Sequence, residues 1–359
     1  MNAQATILDM QATFARPAPR SLGEHFREWT IVDKFVAVYL AVLVFAAVQG
    51  SGPDRLWCIG WCIALLVAHL TTVVAVRSRV FGEGRVVGLW YRFVAYGTVQ
   101  VSYFLLRWLL PTARHVALDA DLFALDVRLF GVEPTLVLDH FVTPARTEWF
   151  AFFYFGYFPL LAVHVLPFLF ASRRRALFAE FAMGTLMLFC TAHVLYMIVP
   201  GYGPYRFLAS QYQHALPHGR FYDLVISTVT AAGAQKDIFP SVHTAAPTFL
   251  AIFSYKHRDQ RPFSFTWPLT AIGAANIIGA TIFLRWHYAI DVLAGITLAA
   301  TAANLAAWLS AREEARRAAL GLSKSWAGLW PEREPRRAPE LARPEPIWAS
   351  EPEREHGGE

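Results

Sequence analysis

His287 and Asp291 stand four positions apart in the segment RWHYAIDV (285–292). On a helix that spacing puts both side chains on one face. A carboxylate so placed accepts the second ring proton of the imidazole, fixes its tautomer and makes the other nitrogen a better nucleophile. Alone the pair is a weak signal, and a plain helix salt bridge is the first reading of it. Other groups add weight. His243, in FPSVHTA (239–245), is a second imidazole able to protonate a leaving oxygen. Its plainer reading is a histidine in the first turn of a helix capped by Ser241. Arg206, in GYGPYRF (201–207), and Arg285 carry planar forks suited to phosphate oxygens. Backbone amides after Ser241 would add anion-binding donors. His243, His287 and Asp291 also make a conceivable zinc set. Arginines crowding a cation oppose that reading and suit an anionic substrate, so no metal and no cofactor is expected.

The elements that must hold these groups are apolar. Of 359 residues, 55% are hydrophobic and only 16% charged, against about 25% charged in soluble domains. That excludes a soluble enzyme, a disulfide scaffold and a fibrous protein. The net charge of +5 comes from basic clusters between apolar runs, a pattern of membrane topology that implies no nucleic-acid partner. Cys58, Cys62 and Cys190 all lie inside apolar runs and read as packing residues.

A membrane span needs about 20 apolar residues. Eight segments qualify or nearly so: 31–49, 56–76, 86–110, 147–171, 176–199, 242–256, 265–285 and 288–310. The expected fold is all-α, a polytopic helical bundle of about eight transmembrane helices over 31–311. Arg77, Arg79 and Arg85 follow the second span; Arg173, Arg174 and Arg175 the fourth; Lys256, Arg258 and Arg261 the sixth. Even-numbered loops and both termini are therefore expected in the cytoplasm. Residues 1–30 read as a cytoplasmic lead-in and 312–359, rich in Glu, Arg, Ala and Pro, as a cytoplasmic tail, disordered beyond a helical first stretch. Within the long outer loop, 117–131 reads as an amphipathic helix with Leu118, Leu122, Leu125 and Leu129 on one face and acids opposite. A helix on the membrane surface and one packed over the other outer loops fit that pattern equally.

With this topology, GYGPYRF, FPSVHTA and RWHYAIDV all fall at the outer face, and an enzyme site assembled from three distant segments is expected there. Arg107, Lys236 and Asp237 are secondary candidates: Arg107 for a headgroup or for interfacial anchoring, Lys236 and Asp237 for the site or for each other. His69, His164, His193 and Glu180 read as hydrogen bonds between helices. A transporter or scramblase that binds lipid phosphates without cleaving them would keep the arginines and not need both histidines.

PSVH (240–243) with H-x-x-x-D (287–291) resembles the type-2 phosphatidic acid phosphatase superfamily. LLRWLLP (105–111), DVRLFGVEP (126–134), FGYFPL (155–160), GYGPYR and FPSVHTA are most similar to its inositol phosphorylceramide synthase branch, over about 85–300. The resemblance implies that His287 attacks phosphorus and forms a phosphohistidine, oriented by Asp291. His243 would protonate the departing oxygen and then activate the acceptor, while Ser241 and Arg206 bind phosphoryl oxygens. The implied substrate is a membrane lipid phosphate, diphosphate or phosphoinositide, and water or a lipid hydroxyl is the acceptor. The site would face the periplasm from a bacterial inner membrane. Departures are visible: GPYR replaces the lysine-to-Arg-Pro motif, Val242 the glycine of Pro-Ser-Gly-His, Thr281 the arginine six residues before the nucleophile, and Trp286 the first of two adjacent histidines. Arg285 is the available substitute for that missing arginine.

Overall fold

The computed structural model describes residues 26–330 apart from 83 and 234. Most of the 1–30 lead-in and everything after 330 lie outside the described residues. Twelve helices follow in order among them: α1 (Ile31–Gln49), α2 (Arg55–Arg77), α3 (Arg85–Ala113), α4 (Asp119–Phe130), α5 (Pro134–Asp139), α6 (Pro144–Phe170), α7 (Arg175–Ile198), α8 (Pro204–Phe207), α9 (Arg220–Ala232), α10 (Val242–Lys256), α11 (Phe263–Phe283) and α12 (Ala289–Ala319). No strand occurs among the described residues. Seven of the helices are long and apolar enough to cross a membrane. The segment expected as the sixth span forms α10 over the same residues, but its 15 residues rise only about 22 Å, short of a full hydrocarbon core.

Local chemistry explains the starts. Thr30 and Asp33 close a capping box on α1. Thr143 caps α6, with Pro144 in its first turn, where a missing N–H costs nothing. Ser241 caps α10 by accepting from Thr244 N–H at 3.2 Å.

The short α10 is the pivot of the bundle, packed against α6, α7, α11 and α12. Helices α1, α2 and α3 form a second group that joins it mainly through α7. Outward faces carry Phe45, Trp57, Phe93, Trp149, Leu269 and Trp308, the surface expected where lipid replaces water. Between the helices, His193 Nδ1 meets Tyr39 Oη at 2.8 Å and His69 Nε2 reaches the Asp33 carbonyl at 3.0 Å. Glu180 meets His257 at 3.3 Å, while His164 bonds within its own helix to Leu160. The three cysteines are free and buried.

Two stretches differ from their amphipathic or solvated expectation. Two of the three acids of α4 turn inward: Asp119 and Asp126 are buried, whereas Asp121, Leu125 and Leu129 are exposed. Bare backbone N–H groups of the neighbouring loops draw the carboxylates in, as described below. At the opposite end of the bundle, α12 runs on to Ala319, and residues 320–330 of the expected tail fold back onto the helices. Trp326 packs against Tyr91 and Phe178, with ring centroids 4.7 and 4.8 Å away, and the Ser325 carbonyl accepts from Arg77 at 3.0 Å. Arg77 also pairs with the buried Asp33 at 2.8 Å.

Candidate active site

The three loop segments that carry the candidate residues are joined by backbone hydrogen bonds. Ser241 N–H donates to the Asp291 carbonyl at 3.0 Å and Tyr205 N–H to the Arg285 carbonyl at 2.7 Å. Gly203 adopts φ +91, and a Cβ there would lie 2.5 Å from the Trp286 carbonyl oxygen, so only glycine lets the GYGPYR turn approach this closely. Helix α4 locks the assembly. Asp119 accepts from Tyr202 N–H at 3.0 Å, Gly203 N–H at 2.8 Å and Tyr288 Oη at 3.2 Å. Asp126 accepts from Ala289 N–H at 2.6 Å and Ile290 N–H at 2.8 Å. The second pair satisfies N-terminal donors of α12 that have no acceptor in their own helix.

This scaffold brings His287 and His243 to one cavity of about 70 Å³, shared with Asp237, Tyr103, Tyr202 and Trp286. The two imidazole centroids are 6.4 Å apart. Nδ1 of His287 is 3.4 Å from Oδ2 of Asp291, close enough to orient the ring though longer than a formed hydrogen bond. Oδ2 of Asp291 also accepts from Tyr288 N–H at 2.9 Å, which holds the carboxylate. The His243 ring stacks on Tyr154, with centroids 4.4 Å apart and planes at 13°. Its Nε2 and the indole Nε1 of Trp286 are buried without a hydrogen-bond partner in the protein. Burial pushes His287 down to about 4, against an opposing pull from the Asp237 carboxylate, so the ring is neutral near pH 7.

Asp237 does not pair with Lys236. It faces the cavity and accepts from Tyr103 Oη at 3.2 Å. Burial lifts its carboxyl to about 6, with His287 pulling the other way. Its position beside FPSVH was the one signal for it in the sequence.

The cationic candidates stand elsewhere. Arg285 donates to Asp139 at 2.6 Å and to the His214 carbonyl at 2.6 Å, with its guanidinium over Tyr212. It lines an adjoining cavity of about 550 Å³ and not the histidine cavity. Burial and then its hydrogen bonds act on Asp139 in opposite senses; donors from Gln213, His214 and Arg285 prevail and hold it below the usual carboxylate range. Nothing in the sequence near Asp139 announced that partnership. Arg206, Lys236 and Arg107 surround a third cavity, of about 370 Å³. The Ser241 hydroxyl is buried at the cap of α10. Histidines and Asp291 are thus brought together, while the expected phosphate ligands are distributed around the cavity's neighbours. Among the described residues no group of three His, Cys, Asp or Glu side chains is disposed to hold a metal ion.

No curated protein and no solved structure matches this chain. The sequence model of the PAP2 superfamily matches residues 120–305, which takes in all of α4 but its first residue, the three loop segments and both histidines. The chain is therefore a member of the PAP2 superfamily.

Proposed function

We propose that this protein is an integral-membrane lipid phosphatase or phosphotransferase that works by double displacement. The observation that carries the reading is the pair of imidazoles in one cavity, 6.4 Å between centroids, with one of them held by Asp291. The free nitrogen of neutral His287 attacks phosphorus, and the bond from phosphorus to the leaving oxygen breaks. His243 delivers the proton to that oxygen and becomes neutral. It then removes a proton from water or a lipid hydroxyl, whose oxygen attacks the phosphohistidine and frees His287.

A space of about 70 Å³ suits a phosphoryl group and no more of a lipid, so the rest of the headgroup extends into the adjoining cavities. The first N–H groups of α10 and Trp286 Nε1 are the nearest donors for phosphoryl oxygens. Arg206, Lys236, Arg107 and Arg285 contribute the positive field around the headgroup. Similarity to the inositol phosphorylceramide synthase branch in FGYFPL, GYGPYR and FPSVHTA favours competence for transfer to a lipid hydroxyl. The alternation of basic loops supports a site facing the periplasm of a bacterial inner membrane, with both termini in the cytoplasm.

Phosphate fate tests the reading. Purified protein in detergent receives radiolabelled lipid phosphates, diphosphates and phosphoinositides, with and without ceramide or diacylglycerol, beside His287→Ala. Free phosphate lost in the variant identifies a phosphatase. A new labelled lipid formed only with an acceptor identifies a transferase. Lipid binding without either product, in both proteins, would leave a transporter or scramblase standing.

A further inference from the structure

Arg107, Arg206 and Lys236 come from three separate stretches: the end of α3, the short α8 and the loop before α10. All three line the cavity of about 370 Å³, together with Tyr202, Gln235 and Gly233. Among the described residues none of the three is ion-paired with a carboxylate. The Arg206 guanidinium lies 3.9 Å from the Tyr202 ring centroid, and the Lys236 ammonium is 5.4 Å from the same ring. Lys236 is buried and donates to the carbonyls of Arg114 and His115 at 3.3 and 3.0 Å. Burial and the charge of Arg206 both press its pKa down, with Asp119 opposing. The Asp119 carboxylate itself is engaged by Tyr202, Gly203 and Tyr288.

The Arg107 side chain lies directly against Gly233 at the wall of this cavity. At φ +70, a Cβ on Gly233 would lie 2.7, 2.8 and 3.0 Å from Cδ, Nε and Cζ of Arg107. Three like charges converging on one concavity repel each other unless an anion stands between them. The cavity is not the histidine cavity: the two share Tyr202 and Gln235 as walls, and none of the three cations lines the latter.

We propose that the Arg107–Arg206–Lys236 cavity is a second anion subsite, holding an anionic group of the lipid donor other than the phosphoryl group that His287 attacks. The enzyme then selects donors whose headgroup carries two anionic groups over simple phosphate monoesters. This deepens the proposed function and rests on it for the identity of the attacked group.

The test compares phosphatidic acid, diacylglycerol pyrophosphate and phosphatidylinositol 4-phosphate as donors for the full-length protein. Variants are Arg206→Gln, Lys236→Met, Arg107→Gln and the charge-keeping Arg206→Lys, with thermal melting to confirm folding. The expected result is that each neutral variant raises KM for at least one two-anion donor about tenfold more than KM for phosphatidic acid. Arg206→Lys should recover part of the difference. Equal losses on all donors would overturn the proposal, because the cations would then serve the attacked phosphoryl; so would no loss on any.

A binding arm keeps the two readings apart. If no donor is turned over, the proposed function fails while lipid binding to His287→Ala still tests the subsite. There, Arg206→Gln should weaken binding of the two-anion lipids about tenfold and that of phosphatidic acid less. Inorganic phosphate is titrated as the competing source. If it binds with the same dependence on Arg206 and fails to compete with the two-anion lipids, the site takes a free anion and the lipid assignment is overturned.

Discussion

Asp126, in helix α4, accepts the N–H of Ala289, the first residue of α12, at 2.6 Å. The bond closes a helix start from outside its own chain segment, two residues before Asp291, whose carboxylate lies 3.4 Å from His287. Capping groups of this kind contribute about 0.5–2 kcal/mol. Asp126→Ala is expected to lower stability by about that amount and to reduce kcat more than it raises KM, since it loosens Asp291 and not the lipid. Asp126→Asn keeps one acceptor for Ala289 and Ile290 and turns an NH2 donor on the other N–H, so it should fall between wild type and Asp126→Ala. Denaturation in a fixed detergent beside steady-state kinetics reads the two effects. An Asp126→Ala protein with wild-type turnover would show that α4 has no part in positioning the site.

The two histidines have separable roles. His287→Ala should abolish phosphate release and the acid-labile phosphoenzyme together. His243→Gln should lower turnover of alkyl phosphates by about 10²–10⁴-fold, the usual range for a positioned general acid. On an aryl phosphate with a good leaving group it should still form the phosphoenzyme, because that oxygen departs unprotonated. Rapid-quench labelling with both substrates distinguishes them. Phosphoenzyme in His287→Ala would reassign the nucleophile.

In the proposed mechanism His287 attacks only when neutral, and burial holds its pKa at about 4. The acid limb of kcat/KM is therefore expected near pH 4, well below the ordinary histidine value of about 6.5. Asp237 takes up a proton at about 6, so it carries no charge at the His287 limb, and Asp237→Asn should leave that limb near pH 4. Protonation of Asp237, at about 6, should add a shallower inflection that the variant lacks. A pH–rate profile from 3.5 to 8 for both proteins checks this. An inflection near pH 6 that survives Asp237→Asn would mean that the carboxylate does not couple to the reaction.

Arg285 and Asp139 form a buried pair at 2.6 Å. Removing one partner leaves an uncompensated charge, which costs about 3–5 kcal/mol in buried pairs, while replacing both by apolar groups costs far less. Asp139→Ala should be strongly destabilised, and Asp139→Ala combined with Arg285→Met should recover most of the loss. If Arg285 instead binds phosphoryl oxygens directly, the double variant will regain stability but no activity.

Hydropathy and spacing alone determined a good deal. The segments at 31–49 and 242–256 are helices over those residues, and the other expected spans begin and end within a few residues of α2, α3, α6, α7 and α11. Helix α12 runs past its apolar stretch to Ala319, the helical start expected of the tail, because Arg, Glu and Ala continue a helix outside the apolar stretch as readily as within it. The convergence of GYGPYRF, FPSVHTA and RWHYAIDV was also legible, since alternate crossing of a membrane leaves few places for loops to meet.

Tertiary structure decided the partners. A carboxylate in a sequence carries no sign of whether it meets solvent, an arginine or a backbone N–H, because those partners are fixed by segments 70 to 170 residues away, on the order of the separations that join Asp139 to Arg285 and Asp126 to Ala289. Thus two acids of α4 became caps and anchors, Arg285 was claimed by Asp139, and Asp237 was turned to the histidines. Arg107, Arg206 and Lys236 were distributed to a neighbouring cavity. Periodicity sets which face of a helix is apolar. Packing sets which polar groups are desolvated together, and in this protein that selection separates the two histidines and their acids from the cations beside them.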